Sequence, residues 1–284
     1  MIAISGAETP IGKSLLSAID NKDSVLKLDI KPEYEKGFFA DFFKTEKPSV
    51  FINLSQLQNM DEAELNPEYA YNLHSSFVKY SAEAAAEFNC LYVFLSSSYI
   101  FNGKNLNDYS EEDASDPISV FGDSILLGES NLKKSGCRYL ILRAGDVFGN
   151  ESAISSCKFL KKDSNNKLKI IKDMKISPLY IPDAVQILLN LIDNKAEGIY
   201  NICNSGKVTS SEFIKRAFEI IRTKGNNNLE EYIESDIREM RFAADRPLNV
   251  SISDKKLISE TGKGLRSWDE ALIHYIETNN ITEI

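Results

Sequence analysis

Ile2-Ala3-Ile4-Ser5-Gly6-Ala7-Glu8-Thr9-Pro10-Ile11-Gly12 opens the chain, and its reading decides the fold. A short β-type run enters a turn with glycines at its outer positions and leaves it in an apolar pattern of helical period. A strand that passes into a helix through such a turn is the first unit of a doubly wound α/β sheet. The same rhythm repeats outward. Residues 25–29, 50–54, 91–96 and 139–143 read as strands, and 10–19, 67–88 and 121–134 as helices, so parallel crossovers are expected. After Gly149 the chain becomes polar and rich in Asn and Lys, with one late strand at 199–203 that returns to the sheet and a loop signal in Lys224-Gly225-Asn226-Asn227-Asn228. The expected division is a Rossmann-like nucleotide-binding domain, 1–150 plus 178–204, and a smaller C-terminal substrate or interaction lobe, 151–177 plus 205–284, covering the strand ends.

The first turn also bears on ligands, because a dinucleotide's pyrophosphate rests on the helix start in this kind of unit. Gly6 and Gly12 fit the outer positions of a GxxGxxG spacing, but Thr9 stands at the middle one. It adds a branched side chain where backbone should approach phosphate, and Pro10 removes one N–H donor. Binding of NAD or NADP is therefore expected to be weak or absent. Without any ligand the turn still makes sense, since Thr9 is a proper N-cap and Pro10 a proper first helical residue. Asp29, at the end of the second strand, is placed to take an adenosine 2′-hydroxyl, while Lys27 and Lys31 beside it leave a 2′-phosphate open. A strand-end turn explains that aspartate equally well.

Composition narrows the function classes. With 33 basic against 42 acidic residues the formal net charge is −9, and no basic stretch stands out, so nucleic acid and anionic membrane surfaces are not expected partners. Cys90, Cys137, Cys157 and Cys203 are scattered without CxxC spacing, which fits a reducing, cytoplasmic setting. His74 and His274 are isolated in helix-like stretches; packing or surface placement is expected of them, and no metal site or Ser-His-Asp triad. At 284 residues the chain can bury a substantial core without staples.

Further motifs carry a family resemblance. Lys47-Pro48-Ser49-Val50-Phe51-Ile52-Asn53, Asn66-Pro67-Glu68-Tyr69-Ala70-Tyr71-Asn72, Leu95-Ser96-Ser97-Ser98-Tyr99-Ile100-Phe101-Asn102-Gly103, the acidic Tyr109-Ser110-Glu111-Glu112-Asp113 and the tail Arg246-Pro247-Leu248-Asn249-Val250 together resemble the dTDP-4-dehydrorhamnose reductases, extended short-chain dehydrogenase/reductases, nearly end to end. The resemblance implies a catalytic hydroxyl at Ser97, where the family has Thr, and a substrate contact at Arg246. It also implies a Tyr and, four residues later, a Lys in Val120-Phe121-Gly122-Asp123-Ser124-Ile125-Leu126-Leu127-Gly128-Glu129, where this chain has Phe121 and Ile125. In that chemistry the Tyr moves the proton, and the Lys lowers its pKa and grips the nicotinamide ribose. Phenylalanine has no proton to give. Residues four apart share a helix face, so Phe121 and Ile125 should lie side by side toward the cleft near Ser97. Ser98 replaces an Asp and Asp146 an aromatic residue, so the departures gather at the cleft.

Tyr99, Asp123, Tyr180 and Asp146 are the candidate replacement acids, and none brings a lysine with it. Two functions follow. One is a binding module, a reductase-shaped protein that holds a nucleotide, a nucleotide sugar, a protein partner or a second copy of itself. The regulatory β subunit of methionine adenosyltransferase looks like a member of this group used in that way. The other is an active, divergent NAD(P)H-dependent sugar-nucleotide reductase of cell-surface polysaccharide synthesis.

Overall fold

The structure is a computed structural model, described here for residues 1–20, 24–29, 35–57, 59–149, 159–162, 167–224 and 232–281. Lys31, Cys157 and the loop at 225–228 lie outside the described residues.

From the N-terminus the elements are β1 (Ile2–Ser5), α1 (Pro10–Ala18), β2 (Val25–Leu28), α2 (Lys36–Glu46), β3 (Val50–Asn53), α3 (Met60–Leu65), α4 (Pro67–Tyr71), α5 (Phe77–Glu87), β4 (Leu91–Ser97), α6 (Val120–Lys134), β5 (Arg138–Ala144) and β6 (Asp146–Phe148). Then come β7 (Leu160–Lys162), β8 (Leu168–Ile171), β9 (Lys175–Ile176), β10 (Pro178–Tyr180), α7 (Ile181–Asp193), β11 (Gly198–Ile202), β12 (Val208–Thr209), α8 (Ser210–Thr223), β13 (Tyr232–Ser235), α9 (Lys255–Thr261) and α10 (Trp268–Thr278).

Six strands form one sheet in the order β11-β5-β4-β3-β1-β2, and every pairing in it is parallel. Alternation along the strands sends Phe51, Tyr92 and Phe94 to one face and Ile52, Val93 and Leu95 to the other, giving two cores. An aromatic core lies under α2, α5 and α6; an aliphatic one lies under α1 and α7, which pack on each other. The chain leaves β1 toward β2 on one side and returns as β3 on the other. Strand order therefore reverses at β1, which opens a crevice at the carboxyl ends of β1 and β3, where ligands bind in such sheets. Smaller pairings, β10 with β6, β12 with β9 and β13-β8-β7, lie beyond the main sheet.

The doubly wound parallel sheet matches the sequence reading, with corrections in detail. The second and third strands end one residue early, at Leu28 and Asn53, and the fourth runs on to Ser97. Helices α2 and α3 were not expected, although α2 carries a helical pattern: Phe39 and Phe43, four apart, are fully buried. The expected helix over 67–88 is interrupted by a π turn at Asn72–Ser76. A β-carbon on Gly128 of α6 would come within 2.1 Å of the His74 carbonyl oxygen, so α6 backs directly onto this π turn. One on Gly122 would come within 2.2 Å of the Tyr99 carbonyl oxygen, so the start of α6 is pressed against the turn that follows β4.

Candidate functional site at the strand ends

Gly6 takes a φ of +77°, and a β-carbon there would fall 2.7 Å from the Leu54 carbonyl carbon just past β3. Both the left-handed backbone and the close approach require glycine. Gly12 meets the turn in the same way, 2.2 Å from the Gly6 carbonyl oxygen. Thr9 then turns its side chain inward on the loop. Its Oγ1 donates to the Gly6 carbonyl at 2.7 Å and accepts from the Gly12 N–H at 3.1 Å. A helix start offers up to four backbone donors. Here Pro10 has none, the Gly12 donor is capped, and the Lys13 N–H bonds the Thr9 carbonyl at 2.9 Å. Of the first-turn donors that an anion would use, only the Ile11 N–H makes no hydrogen bond among the described residues. Asp29, just after β2, is exposed.

Beneath this loop runs a buried polar chain that the sequence reading did not anticipate. Ser5 Oγ donates to Asn53 Oδ1 at 2.9 Å, Ser55 Oγ donates to Ser5 Oγ at 3.0 Å, and Asn53 Nδ2 donates to the Tyr92 hydroxyl at 3.0 Å. Ser81 Oγ lies 2.8 Å from the same hydroxyl. Burial pushes the Tyr92 phenol well above its ordinary range. The available signal was a polar residue closing each of two apolar strands.

At the end of β4, Ser97 is buried and its Oγ accepts from the Tyr99 N–H at 3.3 Å, capping a 3₁₀ turn over Ser98–Ile100. The Ser98 hydroxyl is buried without a hydrogen-bond partner among the described residues. Tyr99 OH donates to Asp146 Oδ1 at 2.9 Å, and both residues are buried. Phe121 and Ile125 do share one face of α6, but both are 0% exposed. The Phe121 ring packs edge-on against His74, at 5.7 Å between centroids, and against Tyr99, at 6.2 Å. An aromatic ring without a polar tip has no reason to reach for the cleft.

His74 is fully committed to the core. Its Nε2 accepts from the Leu57 N–H at 3.1 Å and its Nδ1 lies 2.8 Å from Ser124 Oγ. Burial lowers its pKa to about 3, so the ring is neutral at any ordinary pH. The packing role expected of it is the one the geometry gives. Asp123 is exposed and accepts from the Tyr71 hydroxyl at 2.6 Å, which raises the Tyr71 pKa to about 12. Tyr180 OH lies 3.2 Å from His274 Nδ1, and burial raises its pKa. Arg246, which the resemblance implies as a substrate contact, is buried: its Nη1 donates to Asp61 Oδ1 at 2.8 Å and to the Ala244 carbonyl at 2.7 Å, with the guanidinium 4.0 Å over the Phe242 ring. It ties its own loop to α3, so it does not stand with Ser97 and Tyr99 as an open group. The structure thus brings together Ser97, Tyr99, Phe121, His74 and Asp146, and separately Gly6, Thr9 and Gly12.

A model of the RmlD substrate binding domain matches residues 1–281. The chain belongs to that family. Spore coat polysaccharide biosynthesis protein SpsK of Bacillus subtilis is 28% identical over 233 residues, covering 81% of this chain and 80% of that protein. The dTDP-4-dehydrorhamnose reductase of Aggregatibacter actinomycetemcomitans is 27% identical over 284 residues, covering 95% and 96%. Among solved structures, the Bacillus anthracis dTDP-4-dehydrorhamnose reductase in complex with NADP superposes with a TM-score of 0.84 at 21% identity, over 98% of each chain. The extended short-chain reductase fold expected from the motifs is the fold of this family member. Among its described residues no helix is long and apolar enough to cross a membrane, and no group of three or more His, Cys, Asp or Glu could hold a metal.

Proposed function

We propose that this RmlD family member is a catalytically impaired, dTDP-4-dehydrorhamnose reductase-like module that holds a nucleotide or nucleotide sugar, or engages a protein partner or second copy, in a reducing cytoplasmic setting. One observation carries the reading: the face of α6 that would supply the proton donor and its lysine presents Phe121 and Ile125, both wholly buried. Nicotinamide dinucleotide chemistry would supply a hydride, and the fit to such a group is partial. Gly6 and Gly12 suit a pyrophosphate, as the NADP held by the Bacillus anthracis relative suggests. Thr9 and Pro10 withdraw donors from it, and the α6 face offers neither a proton nor a ribose ligand. What the chain's own residues can still do is orient: Ser97 holds the β4 turn, Tyr99 is fixed by Asp146, and Asp29 stands exposed for a ribose hydroxyl. In this reading the sheet unit, 1–150 plus 178–204, binds the nucleotide, and 151–177 plus 205–284 forms the lobe that meets sugar or partner. Buried, free Cys90, Cys137 and Cys203 support the reducing compartment.

The second reading, an active divergent reductase of polysaccharide synthesis, is favoured by the names of the relatives and by the Tyr99–Asp146 pair as a rebuilt proton source. Assaying NAD(P)H oxidation with a dTDP-4-keto sugar separates the two. Background rates are expected from the natural sequence; robust turnover would refute impairment. The double change Phe121→Tyr and Ile125→Lys should raise the rate by about a hundredfold, the usual worth of a positioned acid, with neither single change sufficient. Because Ile125 is wholly buried, the melting curve of the double variant is read alongside. A folded but silent double variant would point to a closed cleft and a protein-partner role.

A further inference from the structure

Away from the strand-end crevice, α7 and the segment after α9 line a half-open cavity of about 580 Å³, within the usual range for small-molecule pockets of roughly 300 to 1,000 Å³. Gln186 and Asn190, one turn apart on the exposed side of α7, form one wall, and Lys263 and Arg266 stand on the other. Ile187 and Leu265 supply the apolar part of the lining. None of Gly6, Thr9, Ser97, Phe121 and Ile125 lines this cavity.

Its charge is the informative property. Asp183, the single acid in the lining, is buried and already saturated: Arg266 grips it through Nε at 2.9 Å and Nη2 at 2.6 Å, and Asn204 Nδ2 donates to it at 2.7 Å. That clamp cancels the carboxylate and fixes the guanidinium, whose Nη1 makes no hydrogen bond among the described residues. Lys263 is exposed and forms no salt bridge among them. Asn190 uses its oxygens to accept from Asn194 Nδ2, which leaves its own amide donors for a ligand. Two cations and two amides therefore converge on one hollow, with a net positive lining in a chain whose formal net charge is −9. A fixed guanidinium beside a mobile ammonium is a phosphate-binding combination, because the planar fork positions and the lysine neutralises.

We infer that this cavity binds a phosphate monoester of a small polar body, a sugar phosphate or a nucleoside monophosphate. The phosphate sits on Lys263 and Arg266 Nη1, the hydroxyls or base edge on Gln186 and Asn190, and the body on Ile187 and Leu265. The site is independent of the reading given to the α6 face.

The test is calorimetric titration of the full chain with glucose 1-phosphate, dTMP and inorganic phosphate, each against the natural sequence, Lys263→Glu and Thr9→Glu. Saturable binding of glucose 1-phosphate or dTMP is expected, tighter than that of inorganic phosphate, weakened tenfold or more by Lys263→Glu and unchanged by Thr9→Glu. Lys263 is exposed, so its variant should melt like the natural protein. The inference fails if neither organic phosphate binds, if inorganic phosphate binds as tightly as both, or if Lys263→Glu leaves binding intact. Loss of binding only in Thr9→Glu would overturn it too, since the strand-end crevice would then be the site.

Discussion

At the scale of single residues, Thr9 and His74 show how a side chain can be spent. Thr9 caps α1 and bonds the Gly6 carbonyl, so the donors that would face a pyrophosphate are partly used within the loop. Replacing Thr9 by Gly should cost stability by less than about 1 kcal/mol, because glycine is itself a tolerable N-cap, while strengthening NAD(P)H binding in a titration. Unchanged affinity would mean the loop does not touch phosphate. His74 has a folded pKa of about 3, depressed by burial from an ordinary value near 6.5. With the folded value lowered, the unfolded chain binds the extra proton, so the stabilisation is complete above about pH 6.5 and is lost as pH falls toward 3. Unfolding in urea at pH 7.5 and pH 5 should lose about 2 kcal/mol on this account, and His74→Gln should remove that part of the slope. Equal slopes in both proteins would refute it. Thr9 drew notice because it breaks a glycine spacing, and Phe121 and Ile125 because they stand where the family resemblance implies a Tyr and a Lys. The Ser5–Asn53–Tyr92–Ser81 chain was not legible, since its members meet only when three parallel strands and α5 come together.

Among the elements, β4, β5 and α6 are joined by a group the sequence did not announce. Glu129, fully buried on α6, accepts from Arg143 of β5 through both Nε at 3.0 Å and Nη2 at 2.9 Å, and from Ser96 of β4 at 2.6 Å. A buried pair is not a strong stabiliser compared with apolar packing, but removing one partner strands the other charge. Glu129→Ala should therefore lower unfolding free energy by about 3–5 kcal/mol in urea titrations, well beyond a surface carboxylate; a loss under about 1 kcal/mol would mean water already reaches the pair. The strands were readable from apolar runs bounded by turns, α1 from its cap and glycines, and α6 from its helical pattern. What escaped was governed by contact between elements: the π turn at His74 answers to the approach of Gly128, which no local period encodes. Helix α2 is the exception, because its paired phenylalanines carried the period in plain view.

For the whole molecule, the sheet order places the crevice at the ends of β1 and β3, in a chain that belongs to the RmlD substrate binding domain family. The chain's departures fall unevenly on that crevice. On the proposed reading they weaken the pyrophosphate turn and take away the proton relay, yet leave the strand ends and the exposed Asp29 in place, while Asp146, itself a departure, gives Tyr99 a buried partner. If the protein has kept the nucleotide sugar and given up the cofactor, binding should register as global stability, because a ligand held only by the folded state shifts the unfolding equilibrium by mass action. At a hundred times its Kd such a ligand adds about 2.7 kcal/mol, which in a domain of this size reads as a rise of roughly 5 °C in melting temperature. dTDP-glucose should produce a shift of that order when raised to saturation, and NADPH at the same concentration a clearly smaller one. The order matters more than the size: an equal or larger shift from NADPH would show the pyrophosphate turn to be intact in function despite Thr9, and would move the balance to the active reductase.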